Sequence, residues 1–147
     1  MLAMPNVLLL PPLMLALLVF AAPIEDGESW RVDQLTRKGP QKTLMVERDG
    51  DAIEATVAGD EDELFARMSL DDPEKGRFTL RAGGSDQTEK VELAGLIRDF
   101  DADGLRSAQD VVIALRNGEK ARLYRSGQTI YLTAPGQGVT FAARKVN

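Results

Sequence analysis

Val111-Val-Ile-Ala-Leu115, Lys120-Ala-Arg-Leu-Tyr-Arg125, Thr129-Ile-Tyr-Leu-Thr-Ala134 and Val139-Thr-Phe-Ala-Ala-Arg144 decide the fold. Each run is apolar or alternates over the length of a short strand. Asn117-Gly118, Ser126-Gly127 and Pro135-Gly136-Gln137-Gly138 separate them. Asn-Gly between apolar runs is the strongest short hairpin signal, because both central residues of a two-residue turn need positive φ. The pattern predicts an antiparallel C-terminal meander. Evenly spaced short strands of this kind build a small barrel or sandwich.

Upstream, the same period recurs. Thr43 to Glu47 is a short apolar run, and Ala52 to Val57 places Ile53, Ala55 and Val57 on one face. Arg48-Asp49-Gly50-Asp51 between them reads as a hairpin turn. Arg77 to Ala82 alternates with Phe78, Leu80 and Ala82 together, and Gly83-Gly84 ends it. Glu61 to Leu70 is ambiguous, since Leu64 and Met68 sit four apart as on a helix. Asp71 to Gly76 reads as a loop. Trp30, Phe78, Tyr131, Leu132 and Phe141 are the large apolar side chains expected to close the core. The fold class that follows is mainly β, preceded by an apolar N-terminal helix.

Residues 1–24 form a separate object without a charged side chain, and residues 25–147 form a single β-rich domain. Leu13 to Phe20 suits the apolar core of a signal peptide, and Val19 and Ala21 set the spacing for cleavage after Ala21. The stretch from residue 2 to 24 is also about long enough to contact or span a bilayer, which takes ~20 residues. Met1 to Asn6 carries no Lys or Arg, whereas Arg31, Arg37, Lys38 and Lys42 follow the stretch and favour the cytoplasmic side. The third reading is a helix buried on all sides within the domain. The chain is thus exported or membrane-anchored, or cytoplasmic if the leader is an internal helix.

Zero Cys excludes disulfides, thiolate metal sites and thiol catalysis in this chain, and zero His excludes imidazole ligands and His-based triads. Residues 25–104 hold 21 acids and 11 bases, whereas residues 105–147 hold 2 acids and 7 bases. A chain so divided can offer an acidic face and a basic face to protein partners. The overall balance is acidic, and no basic stripe is interleaved with aromatics, which argues against nucleic acid. GxSxG, Walker and dinucleotide-binding glycine patterns are absent, so no catalytic residue and no organic cofactor site is assigned.

One segment carries possible metal chemistry. Asp99-Phe-Asp-Ala-Asp-Gly-Leu-Arg-Ser-Ala-Gln-Asp110 resembles the calcium loop of EF-hand and dockerin proteins. Calcium takes oxygens from loop positions 1, 3, 5, 7, 9 and 12. Those positions hold Asp99, Asp101, Asp103, the Leu105 carbonyl, Ser107 and Asp110. The resemblance implies calcium as a cofactor. The competing reading is an acidic, solvated turn between two strands, because Val91, Leu93 and Ile97 also fit a strand.

A second resemblance covers residues 28–143. Glu28-Ser-Trp-Arg-Val-Asp33, Thr129-Ile-Tyr-Leu132 and Gly138-Val-Thr-Phe141 resemble the BT domain of methylcrotonyl-CoA-type carboxylase α subunits. That likeness implies an antiparallel barrel around a helix, non-catalytic, bridging the parts of a larger complex. It casts Leu13 to Ala22 as the internal helix. The expected function is therefore a binding or assembly module, an accessory subunit with protein partners. The alternative is an exported or envelope-associated β-rich protein with one calcium loop.

Overall fold

The structure, a computed structural model, describes residues 11–36, 39–134, 136 and 138–146. Residues 1–10 of the apolar leader, Arg37, Lys38, Pro135 and Gln137, on which readings above fall, lie outside the described residues.

Alternating stretches become ten antiparallel strands. They are β1 (Ser29–Thr36), β2 (Gly39–Asp49), β3 (Ala52–Val57), β4 (Asp60–Asp72), β5 (Arg77–Ala82), β6 (Glu89–Glu92), β7 (Asp110–Ala114), β8 (Lys120–Ser126), β9 (Thr129–Ala134) and β10 (Val139–Lys145). Helix α1 (Pro11–Ala21) precedes them, and the short helix α2 (Ala102–Ser107) lies between β6 and β7. The four runs of the meander are β7 to β10, each within one residue of its expected bounds. Gly118 takes φ +93° in the Asn-Gly turn between β7 and β8, a value that a side chain would resist.

The sheet runs β6-β5-β4-β3-β2-β1-β10-β9-β8-β7. β1 joins the two halves, pairing Trp30 to Thr36 with Lys145 to Val139 on one side and with β2 on the other. The acidic strands β1 to β6 therefore form one arc and the more basic strands β7 to β10 the other. The ends of the sheet meet beyond β6. Ile97 bridges Leu115, with the Arg98 amide donating to the Ala114 carbonyl and the Arg116 amide to the Leu96 carbonyl, both at 2.9 Å. That short seam closes the sheet into a barrel and distinguishes it from a sandwich.

α1 fills the barrel. Leu13 to Ala22 are all buried, none more than 8% exposed, so the helix has no solvent side. Its apolar surface matches the inward residues of the strands, such as Val46, Ile53, Phe78, Leu123, Leu132 and Phe141. The Phe20 and Phe78 rings meet at 5.4 Å between centroids. A void of only about 20 Å³ remains between α1 and the seam, lined by apolar side chains. Among the described residues no helix is long and apolar enough to cross a membrane.

Two expectations change in detail. Glu61 to Leu70 lies wholly within β4, a strand. The Leu64–Met68 spacing is helical, but β3 and β5 flank the segment and pair with it along most of its length. Tyr131 is not in the core. Ile130, Leu132 and Ala134 take the inner face of β9, so Tyr131 points outward and stacks on Tyr124 at 4.8 Å. The other four named residues are buried.

Phe78→Ala and Phe141→Ala should each lower stability by ~3–5 kcal/mol, because both rings are fully enclosed and leave cavities. Urea unfolding measures this. A loss below about 1 kcal/mol at both positions would show that neither ring carries the core.

Candidate functional site

The seam that closes the barrel is short, and its shortness creates a groove. After β6 the chain makes one helical turn at Leu93–Gly95 and lies along β7 only at residues 96–98. Asp99 then takes φ +52°, a left-handed conformation that Asp tolerates better than most residues. The chain swings away from β7 and returns through α2. Phe100 seats its ring on Gly76, where an added Cβ would come within 2.7 Å of the ring. The gap between this excursion and β7 is a groove of about 550 Å³, floored by Ile97, Phe100, Leu105, Val111 and Ile113.

The outer edge of β7 forms one wall. Backbone groups of Gln109 and Leu115 bond toward β8, with the Arg125 amide donating to Gln109 and the Leu115 amide to Glu119. By alternation, the N–H and C=O of Asp110, Val112 and Ala114 face the seam. Arg98 takes the Ala114 carbonyl. Among the described residues, Asp110 and Val112 have no backbone partner on that side. The Val112 side chain is 57% exposed, one of two large apolar residues so exposed among those described.

Arg125, on β8, holds the far end of the groove. Its guanidinium donates to the carbonyls of Ala108, Ala21 (2.7 Å), Leu105 (3.2 Å) and Arg106 (3.0 Å). These are C-terminal carbonyls of α1 and α2, or lie just past them, where helices leave acceptors unpaired and favour a cation. Burial lowers the Arg125 pKa, but a guanidinium stays charged at any working pH.

Across the barrel, Glu28 ties the linker to the sheet. Its carboxylate accepts from the Glu25 amide at 2.9 Å and the Trp30 indole at 3.1 Å, and pairs with Lys145 at 2.8 Å. These donors hold its pKa down to about 2, the Glu25 amide contributing most.

The acidic segment divides. Asp99, Asp101 and Ser107 line the groove. Asp103 pairs with Arg106 at 2.8 Å, and the Ser107 hydroxyl donates to the Asp103 carbonyl. Asp110 makes a two-pronged pair with Arg122 at 2.6 and 3.0 Å, which lowers its pKa. The segment is interrupted by α2. Among the described residues no three acidic side chains are grouped to share a metal ion.

Sequence reasoning missed Val112 and Arg125. The exposed edge of β7 depends on Asp99 turning away, which no local pattern announces. Arg125 reads as one more alternating strand residue, and its partners lie up to 104 residues distant. No protein-family model matches the chain, and no curated protein sequence matches it.

The Glu28 clasp predicts acid sensitivity. Because its folded pKa lies below the ordinary 4.5, its contribution is present in full above about 4.5 and is lost as pH falls toward about 2. Glu28→Gln should flatten the fall of stability across that window. Thermal melts from pH 5 to 2 measure it, and parallel curves for both proteins would refute the clasp.

With Asp103 and Asp110 already paired to arginines, calcium at about ten millimolar, above the ~10⁻⁴–10⁻³ M range of extracellular modules, should leave the melting curve unchanged. A rise abolished by Asp101→Ala with Asp103→Ala would establish the ion site instead.

Proposed function

We propose that the chain is a non-catalytic binding or assembly module that docks an extended segment of a partner protein along the outer edge of β7. The observation that carries this reading is the unpaired edge at Asp110 and Val112 beside an apolar-floored groove. An edge of this kind is a template for another strand: main-chain bonds supply affinity, and the neighbouring pocket supplies selectivity. The barrel wrapped around an apolar helix also suits the BT-like, subunit-bridging role that the resemblance implies. Its acidic and basic arcs provide orientation for such a partner.

A second reading keeps the exported protein with a calcium loop. Asp99, Asp101 and Ser107 lining one groove favour it.

Val112→Pro separates docking from folding. Proline removes the outward N–H, and the β7–β8 ladder does not use that group. In native extract the chain should elute with a stoichiometric partner, and the variant should elute alone with a melting temperature within a few degrees of the parent. Elution of the unaltered chain at its own 16.0 kDa would refute an assembly role.

A further inference from the structure

We propose that the lumen of the barrel is a binding site for a single-chain amphiphile with an anionic head, and that α1 is its exchangeable occupant. This goes beyond the assembly reading, which uses the outer edge of β7 and not the lumen.

The occupant shows what the lumen accepts. α1 is 11 residues long, about 16 Å at the rise of an α-helix, and displaces on the order of 1,500 Å³. Its described side chains are all apolar. Gln34 is the single polar residue buried among the described ones. Hydrophobic burial is non-directional, so such walls discriminate by size and polarity and not by pattern. A hydrocarbon tail meets the same requirement as the Leu, Met, Val and Phe side chains of α1.

The polar fastening among the described residues sits at the C-terminal end of α1. Among the described residues, the hydrogen bond from the Arg125 guanidinium to the Ala21 carbonyl is the polar side-chain tie between the helix and the barrel. Beyond the helix the Arg48 guanidinium donates to the Ile24 carbonyl at 2.8 Å, and the exposed turn Glu25–Gly27 leads on to β1. The bond singled out by the small-residue spacing, after Ala21, is also the end of α1. Loss of α1 there takes the helix out of the lumen and removes the Ala21 carbonyl from among the four acceptors of the Arg125 guanidinium. An open cleft of about 230 Å³ already reaches Val19 and Phe20 from outside, and Arg48 and Arg106 stand on its rim with Glu25. A carboxylate or phosphate in the place of the Ala21 carbonyl receives a charge-assisted hydrogen bond from Arg125 while its tail lies in the lumen.

The test uses the full chain with a protease recognition sequence spliced into the Glu25–Gly27 turn, cut after folding. Cutting matters because the tether holds α1 at an effective concentration in the millimolar range. Palmitate, hexadecyl phosphate or hexadecanol is added below its micelle threshold, and native mass spectrometry reads the bound species. The expected result is loss of the α1 peptide and gain of one palmitate or one hexadecyl phosphate per barrel. Hexadecanol should exchange about tenfold less well, the scale of one charge-assisted hydrogen bond. Arg125→Gln should lower palmitate uptake by a similar factor, and if that variant fails to fold the hexadecanol arm decides. Retention of α1 in excess palmitate overturns the proposal. Equal exchange by hexadecanol overturns the charged mouth, and equal palmitate uptake by the uncut chain places binding outside the lumen.

Discussion

A helix with no polar side has to be covered on every side, and the rest of this molecule is that cover. An ordinary surface helix buries one stripe and leaves the opposite face to water. α1 has no such face, so one packed layer cannot satisfy it. Two flat layers would leave its flanks open. A sheet curled through a full circle covers it completely, and the alternating strands provide an apolar inner face for that purpose. The enclosure leaves the backbone as the problem. Helix ends carry unpaired carbonyls, and Arg125 answers two of these ends at once by bonding Ala21 of α1 and the carbonyls at the end of α2. One cation thereby fixes the core helix to the wall and to the excursion that borders the groove.

Closure of the barrel is economical, and the economy has consequences. Nine neighbouring strand pairs share ladders, but the last junction uses residues 96–98 against 114–116. Asp99 ends it. Had residues 99–103 continued as a strand, Val112 and Asp110 would be paired and no groove would exist. The loss of ladder there is partly offset by α2, which buries Ala102 and Leu105, and by Phe100 seated on Gly76. The exposed edge is thus a product of where the chain leaves the sheet, and the acidic side chains divide at the same departure. Asp103 and Asp110 find arginines, whereas Asp99 and Asp101 face the groove.

The C-terminal meander was legible because its signals are local. Asn117-Gly118 and Ser126-Gly127 mark turns, and the runs between them alternate or are apolar. The same holds for β2, β3 and β5. Glu61 to Leu70 was not legible: its residues satisfy a helical spacing, and only pairing with β3 and β5 selects the strand. Tyr131 illustrates a different limit. Its aromatic character suggests burial, but the register of β9 is set by Ile130, Leu132 and Ala134, and a period of two leaves Tyr131 outside. In the candidate site, Asp99, Asp101 and Ser107 were visible as oxygen ligands by type and spacing. That Arg122 takes Asp110 instead, across β7 and β8, was not legible, because cross-strand partners cannot be read before the register is known.

The leader shows how one composition fits different outcomes. Uniform apolarity over Leu13 to Ala22 suits a signal sequence, a bilayer and a barrel interior alike, because all three reward removal from water and none requires a pattern. Inside the barrel that indifference becomes a property of the site. The walls hold α1 by apolar area, and among the described residues its polar side-chain tie is at the Ala21 carbonyl. A fold whose centre is secured in this way separates two kinds of stability. The sheet is held by its ladders and by inward side chains that also touch one another. The helix is held by the space those side chains enclose. The groove at β7 belongs to the first kind and the lumen to the second, with Arg125 as the residue that borders both.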